Sequence, residues 1–158
     1  MSDAVRFFTP ENRLGKLLRT PGGAAVADAV VAAETGLAEL GGAAREELVS
    51  ALSAVEACAA EHPAQFEAHR LEALYGLAQG AIGLGSLCER PAVDEALRSL
   101  CDLLDNFGRA ERWDAEAVNV HVRSLRLLMG GSGGAQAEAA VLHGLRQVVG
   151  RFAVAPGG

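Results

Sequence analysis

Four histidines and three cysteines are the side chains of this sequence best suited to proton transfer, phosphate transfer or metal ligation. His121 stands in RWDAEAVNVHVRSLRLL, Arg112 to Leu128, among valines and leucines. Projected at about 100° per residue, that segment puts Val118, Val122, Leu125 and Met129 on one side, with His121 and Leu128 at the margin. Val120 and Leu127 fall on the opposite side, and Glu116, Asn119, Arg123 and Arg126 form the polar sector. A helix apolar around most of its circumference is either central in a bundle or offers a hydrophobic strip to a partner. His121 is therefore read as a partly buried, hydrogen-bonded histidine, and Val120 and Leu127 as binding candidates.

His69 has a different setting. In QFEAHRLEALYGLAQGAIGLG, Leu71, Leu74, Ala78, Ala81 and Ile82 form the apolar stripe, whereas His69, Ala73, Gly76, Gly80 and Gly83 gather on the other side. A helical glycine costs about 1 kcal/mol relative to alanine, so several on one face need a reason. One reason is close approach: small residues admit a partner backbone, which makes Ala73, Gly76, Gly80 and Gly83 binding candidates. The other is that Gly80 to Gly85 marks the end of the helix and a loop. His69-Arg70-Leu71-Glu72-Ala73 is similar to the H-x-L-K-G motif of histidine phosphotransfer domains, which makes His69 the phosphoacceptor candidate. Glu72 stands where that motif has lysine, which raises the cost of a phosphohistidine. His143-Gly144-Leu145-Arg146-Gln147 keeps the basic residue but lacks the small one, and ranks below His69.

Other chemistry finds little support. Cys58 and His62 lie one helical turn apart, but no second ligand pair follows, so no metal is expected. The partners a thiol or serine enzyme needs cannot be identified. No glycine motif of the P-loop or Rossmann kind is present. The expectation is a protein without a cofactor that is not an enzyme.

The elements that must position these residues read as helices. Half of the residues are hydrophobic but only 4% are aromatic, and alanine and leucine outnumber the β-branched types. Thr9-Pro10-Glu11 supplies an N-cap, a first-turn proline and an acid, opening a short basic helix over about 9–19. A second helix is expected from about Gly23 to Leu40, broken by Gly41-Gly42. A third follows to about Glu61, with Leu48, Leu52, Val55 and Ala59 as its stripe. Pro63 opens a fourth, continuing toward Leu87. Pro91 starts a fifth with Val93, Leu97, Leu100, Cys101 and Leu104 on one side. Asn106 to Trp113 reads as a loop leading to Asp114, the N-cap of the sixth. Gly130 to Gly134 links to a seventh over about Ala135 to Val149, and 153–158 is expected to fray. The sum is one all-α domain over 1–158, an antiparallel bundle of about six to seven helices.

A net charge of −6 argues against nucleic acid as a partner. Three cysteines cannot all pair, which suits a reducing cytoplasm. No run reaches the roughly 18 apolar residues a membrane span needs, and no secretory signal opens the chain. A soluble cytoplasmic protein is expected.

TPENRLGKLLRTPGG, SLCDLLD and RWDAEAVNVHVRSLRLL together resemble the small chemotaxis accessory proteins called CheE, encoded in chemotaxis gene clusters of alphaproteobacteria. The resemblance covers most of the chain and brings no catalytic residues with it. It implies a cytoplasmic signalling role beside the chemotaxis kinase and its response regulators. The leading expectation is thus a non-enzymatic helical adaptor or modulator in two-component signalling that binds a response regulator receiver domain or a chemotaxis kinase component. A phosphotransfer protein using His69 and a self-associating helical bundle, a homodimer, are the alternatives.

Overall fold

The computed structural model describes residues 26–61, 66–131 and 133–153, and every regular element within them is an α-helix. In chain order these are α1 (Val26–Ala60), α2 (Ala68–Ala81), the single turn α3 (Leu84–Leu87), α4 (Pro91–Ala110), α5 (Ala115–Gly130) and α6 (Gly134–Arg151). The all-α expectation is met. Among the described residues there are five long helices and one single turn rather than six to seven helices; the basic segment 9–19 and the tail beyond Ala153 lie outside them.

The chain divides into two compact units, Met1–Gly36 and Leu37–Gly158. In the first, the described residues are helical, with Val26, Val30 and Val31 exposed.

Gly41-Gly42 does not break α1 as expected, because neither glycine takes a positive φ. Two helical glycines cost about 1 kcal/mol each. The flanking alanines, leucines and glutamates favour helix, and burial of Ala44, Leu48, Leu52, Val55 and Ala59 on one stripe offsets the rest. Gly41 also admits a close neighbour, since a Cβ there would stand 3.3 Å from the Leu87 carbonyl oxygen.

The helix expected to run toward Leu87 ends at Ala81. Gly83, at φ 103°, turns the chain into α3, a conformation that favours glycine. Asp94, in the first turn of α4, holds this turn in place. Its Oδ1 accepts from the amides of Gly83 and Gly85 at 2.9 and 3.0 Å, and its Oδ2 from the Ser86 amide at 2.8 Å and the Ser86 hydroxyl. The carboxylate thus satisfies amides that a one-turn helix leaves without internal partners. Burial alone would push its pKa up, but the hydrogen bonds from Ser86, Gly83 and Gly85 win and hold it below the usual aspartate value. Gly85 has no room for a side chain: a Cβ would sit 2.6 Å from the Arg90 carbonyl oxygen and 2.7 Å from Asp94 Oδ1.

α4 is the central element, packing against α2, α3, α5 and α6. Its buried side includes Val93, Leu97, Leu100, Cys101 and Leu104 as the spacing predicts, and it extends to Leu103 and Phe107. That extension is why the expected loop over Asn106 to Trp113 shortens. Burying Phe107 keeps the chain helical to Ala110, and Glu111, at φ 46°, ends it. Trp113 and Phe152 close on Phe107 at centroid distances of 5.9 and 5.2 Å, and the Arg112 guanidinium lies 4.5 Å from the Phe152 ring centre. This aromatic group ties the start of α5 and the end of α6 to the end of α4.

Candidate functional site

α5 begins as its sequence predicts, with Asp114 Oδ1 accepting from the Ala117 amide at 2.9 Å. One face carries Ala117, Val118, His121, Leu125 and Leu128 into the core. His121 is 0% exposed. Its Nδ1 donates to the Ala117 carbonyl at 2.9 Å, since a carbonyl can only accept, and its Nε2 accepts from the Ser99 hydroxyl of α4 at 3.1 Å. Burial lowers its pKa, opposed by the Ala117 bond. The ring is a neutral Nδ1–H tautomer held between two helices.

A hydroxyl donating to a histidine is also the start of a nucleophilic pair. Ser99 lies inside α4, where the backbone amides are bonded within the helix, and it lines a cleft with Arg98 and Arg146. Ser99 escaped the sequence reading. The signal was present in a serine on the Leu97, Leu100, Leu103 side of α4, because a buried polar group needs a partner and His121 needs one too.

His69 is the second residue of α2, its side chain 77% exposed and its Nε2 3.6 Å from a Glu67 carboxylate oxygen. Glu67 also pairs with Arg70 Nε at 2.8 Å. Ala73, Gly76 and Gly80 lie exposed on α2, and a Cβ built on Gly76 or Gly80 meets no atom within 4 Å. Gly83 does not share that face as expected. The helix ends before it, and its amide is committed to Asp94. The segment Gly80 to Gly85 is thus a helix end, a left-handed turn and the start of α3. His143 is exposed on α6, its Nε2 3.0 Å from Gln147 Nε2.

Burial holds two of the three thiols away from the thiolate form. All three cysteines are free. Burial, with Glu61 adding and Arg70 opposing, pushes the Cys58 thiol up. Burial, with Asp102 and Asp105, pushes the Cys101 thiol up to about 11. His62, the suggested partner of Cys58, lies outside the described residues. Among the described residues no group of three His, Cys, Asp or Glu could hold a metal.

Val120 and Leu127 remain. They are 40% and 57% exposed on the side of α5 turned from the core. Each lines an opening between α5 and α6. Leu127 meets Ala137 and Val141 in a cleft of about 160 Å³, and Val120 meets Val148 and Phe152 in one of about 180 Å³. A larger cleft of about 280 Å³ is lined by Glu95, Arg98, Ser99, Asp102, Arg146 and Val149, and its Arg146 is paired with Glu95 at 3.3 Å.

No described helix is long and apolar enough to cross a membrane. No family model, no curated protein and no solved structure matches the chain.

Proposed function

We propose that the helices form an antiparallel bundle that serves as a non-enzymatic adaptor or modulator in bacterial chemotaxis signalling, binding a response regulator receiver domain or a kinase component. The observation that carries this reading is the two-sidedness of α5. One side locks into the core through Val118, His121 and Leu125, while Val120 and Leu127 stand uncovered on the other. Large apolar side chains held at fixed positions on a rigid helix are what a protein partner can cover. The resemblance to the CheE proteins supplies the signalling context.

Calorimetry against each receiver and kinase domain of the accompanying chemotaxis cluster tests this reading. Binding to at least one is expected, weakened by Val120→Ser with Leu127→Ser; binding to none overturns it.

A second reading, phosphotransfer through His69, is favoured by that side chain's exposure beside the open face at Gly76 and Gly80. Two acids oppose it, Glu67 at 3.6 Å and Glu72 one turn along, because like charge raises the cost of a phosphohistidine. It predicts acid-labile phosphate on the protein after exposure to a phosphorylated receiver, absent in His69→Gln.

A further inference from the structure

Ser99 is bonded to His121 and also lines an open cleft. The residue is 8% exposed, its hydroxyl donates to His121 Nε2 at 3.1 Å, and the cleft of about 280 Å³ that it lines lies between α4 and α6. The other ring nitrogen, Nδ1–H, is fixed on the Ala117 carbonyl at 2.9 Å, which leaves Nε2 as the basic nitrogen with its lone pair on the serine hydroxyl. Burial keeps the imidazole neutral, the state in which Nε2 can take a proton. A nucleophile, a base hydrogen-bonded to it and a third group orienting the base are thus joined beside a cleft.

The cleft narrows the choice of substrate. Its charged lining balances, with Arg98 and Arg146 against Glu95 and Asp102, so it favours a neutral molecule over an ion of either sign. Arg146 is paired with Glu95, whereas Arg98, the residue before Ser99, pairs with no carboxylate among the described residues. Its guanidinium is a donor free to meet an oxyanion developing on an acyl group at Ser99 Oγ. Water is at a disadvantage here. His121 is 0% exposed, and after acylation a hydrolytic water would have to reach Nε2 past the ester, inside the core. An acyl group placed on Ser99 is therefore retained.

We infer that Ser99 is a self-acylation site: its Oγ, with His121 as general base and Arg98 as oxyanion donor, takes the acyl group of a small, neutral, activated ester or thioester that enters the α4/α6 cleft. Oγ bonds to the carbonyl carbon, the bond from that carbon to the leaving oxygen or sulfur breaks, and the hydroxyl proton passes by way of Nε2 to the departing alkoxide or thiolate. Each chain reacts once. Acylation removes the hydrogen that Ser99 gives to His121, so the modification also loosens the joint between α4 and α5. The inference goes beyond the adaptor reading, which involves no covalent step, and stands or falls apart from it.

Treatment of the full chain with 4-nitrophenyl acetate, followed by peptide mapping in a mass spectrometer, provides the test. The acetyl group is expected on Ser99, and to form there faster than on the exposed Ser53, whose hydroxyl donates to the Val49 carbonyl rather than to a histidine. It should persist once excess ester is removed, and the acetylated protein should melt below the untreated one. His121→Gln should slow acetylation of Ser99 at least about a hundredfold. Arg98→Gln, at an exposed position that leaves the core untouched, should slow it at least about tenfold. Thermal melting checks that His121→Gln folds; if it does not, the rate at Ser99 against Ser53 in the wild type and the Arg98→Gln rate decide. Acetylation of Lys16 or other groups without Ser99, a rate at Ser99 no greater than that at Ser53, or indifference to either substitution in a folded protein overturns the inference. Loss of the acetyl group from Ser99 as the ester is removed also overturns it, because the site would then turn over rather than hold its acyl group.

Discussion

Ser99 Oγ of α4 stands 3.1 Å from His121 Nε2 of α5, and the His121 ring is closed off by its own helix at the Ala117 carbonyl. The hydrogen bond joins two helices inside the core, where an unsatisfied nitrogen is costly. Ser99→Ala should destabilise the protein by about 1–3 kcal/mol in urea unfolding. Ser99→Ala with His121→Leu should recover part of that loss, because removing both polar partners leaves nothing unsatisfied. A neutral single variant would show that the bond contributes nothing.

The same histidine sets one limb of the pH profile. Burial lowers its folded pKa below the ordinary 6.5, so below that pH the unfolded chain binds a proton the folded chain refuses. Stability is expected to decline as pH falls from about 6.5 toward the folded pKa, and this limb should vanish in His121→Leu. Nitrogen chemical shifts of the ring, recorded near neutral pH, should show the Nδ1–H tautomer.

Asp94 sets a second limb at lower pH. Its folded pKa lies below the ordinary 3.8, so its contribution is fully present above that value and is lost as pH falls through the folded pKa. Asp94→Ala leaves the buried Gly85 amide and its neighbours without their charged acceptor, and should cost about 3 kcal/mol at neutral pH while removing the acid limb. Denaturant melts of the two proteins at pH 3 and 7 separate these effects.

Two glycines should respond in opposite directions to alanine. Gly85→Ala drives a Cβ into the Arg90 carbonyl and Asp94, and is expected to destabilise by about 1–3 kcal/mol. Gly76→Ala adds a methyl to an exposed helical position with open space around it, and should stabilise by up to about 1 kcal/mol. Thermal unfolding of both variants checks the pair.

Val120→Ser and Leu127→Ser, being outside the core, should each alter stability by no more than about 0.5 kcal/mol. Loss of partner binding with the melting temperature unchanged would mark these side chains as interface rather than scaffold.

The buried stripe of α1 from Leu48 to Ala59, that of α4 from Val93 to Leu104, the proline start of α4 and the Asp114 cap could all be read from the sequence. Each depends on residues within about four positions of one another, the range over which helical periodicity and capping act. Periodicity also separated Val120 and Leu127 from the opposite face of α5. It could not decide which face the other helices would cover, and the structure buries Val118 and Leu125 and leaves Val120 and Leu127 open. Local breaker rules misjudged Gly41-Gly42, where burial of the following stripe outweighs the glycine cost. The partnership of Ser99 with His121 and the grip of Asp94 on Gly83, Gly85 and Ser86 belong to tertiary structure alone. Their groups are 22 and 8–11 residues apart, and only the packing of α5 and α3 against α4 brings them within hydrogen-bonding range.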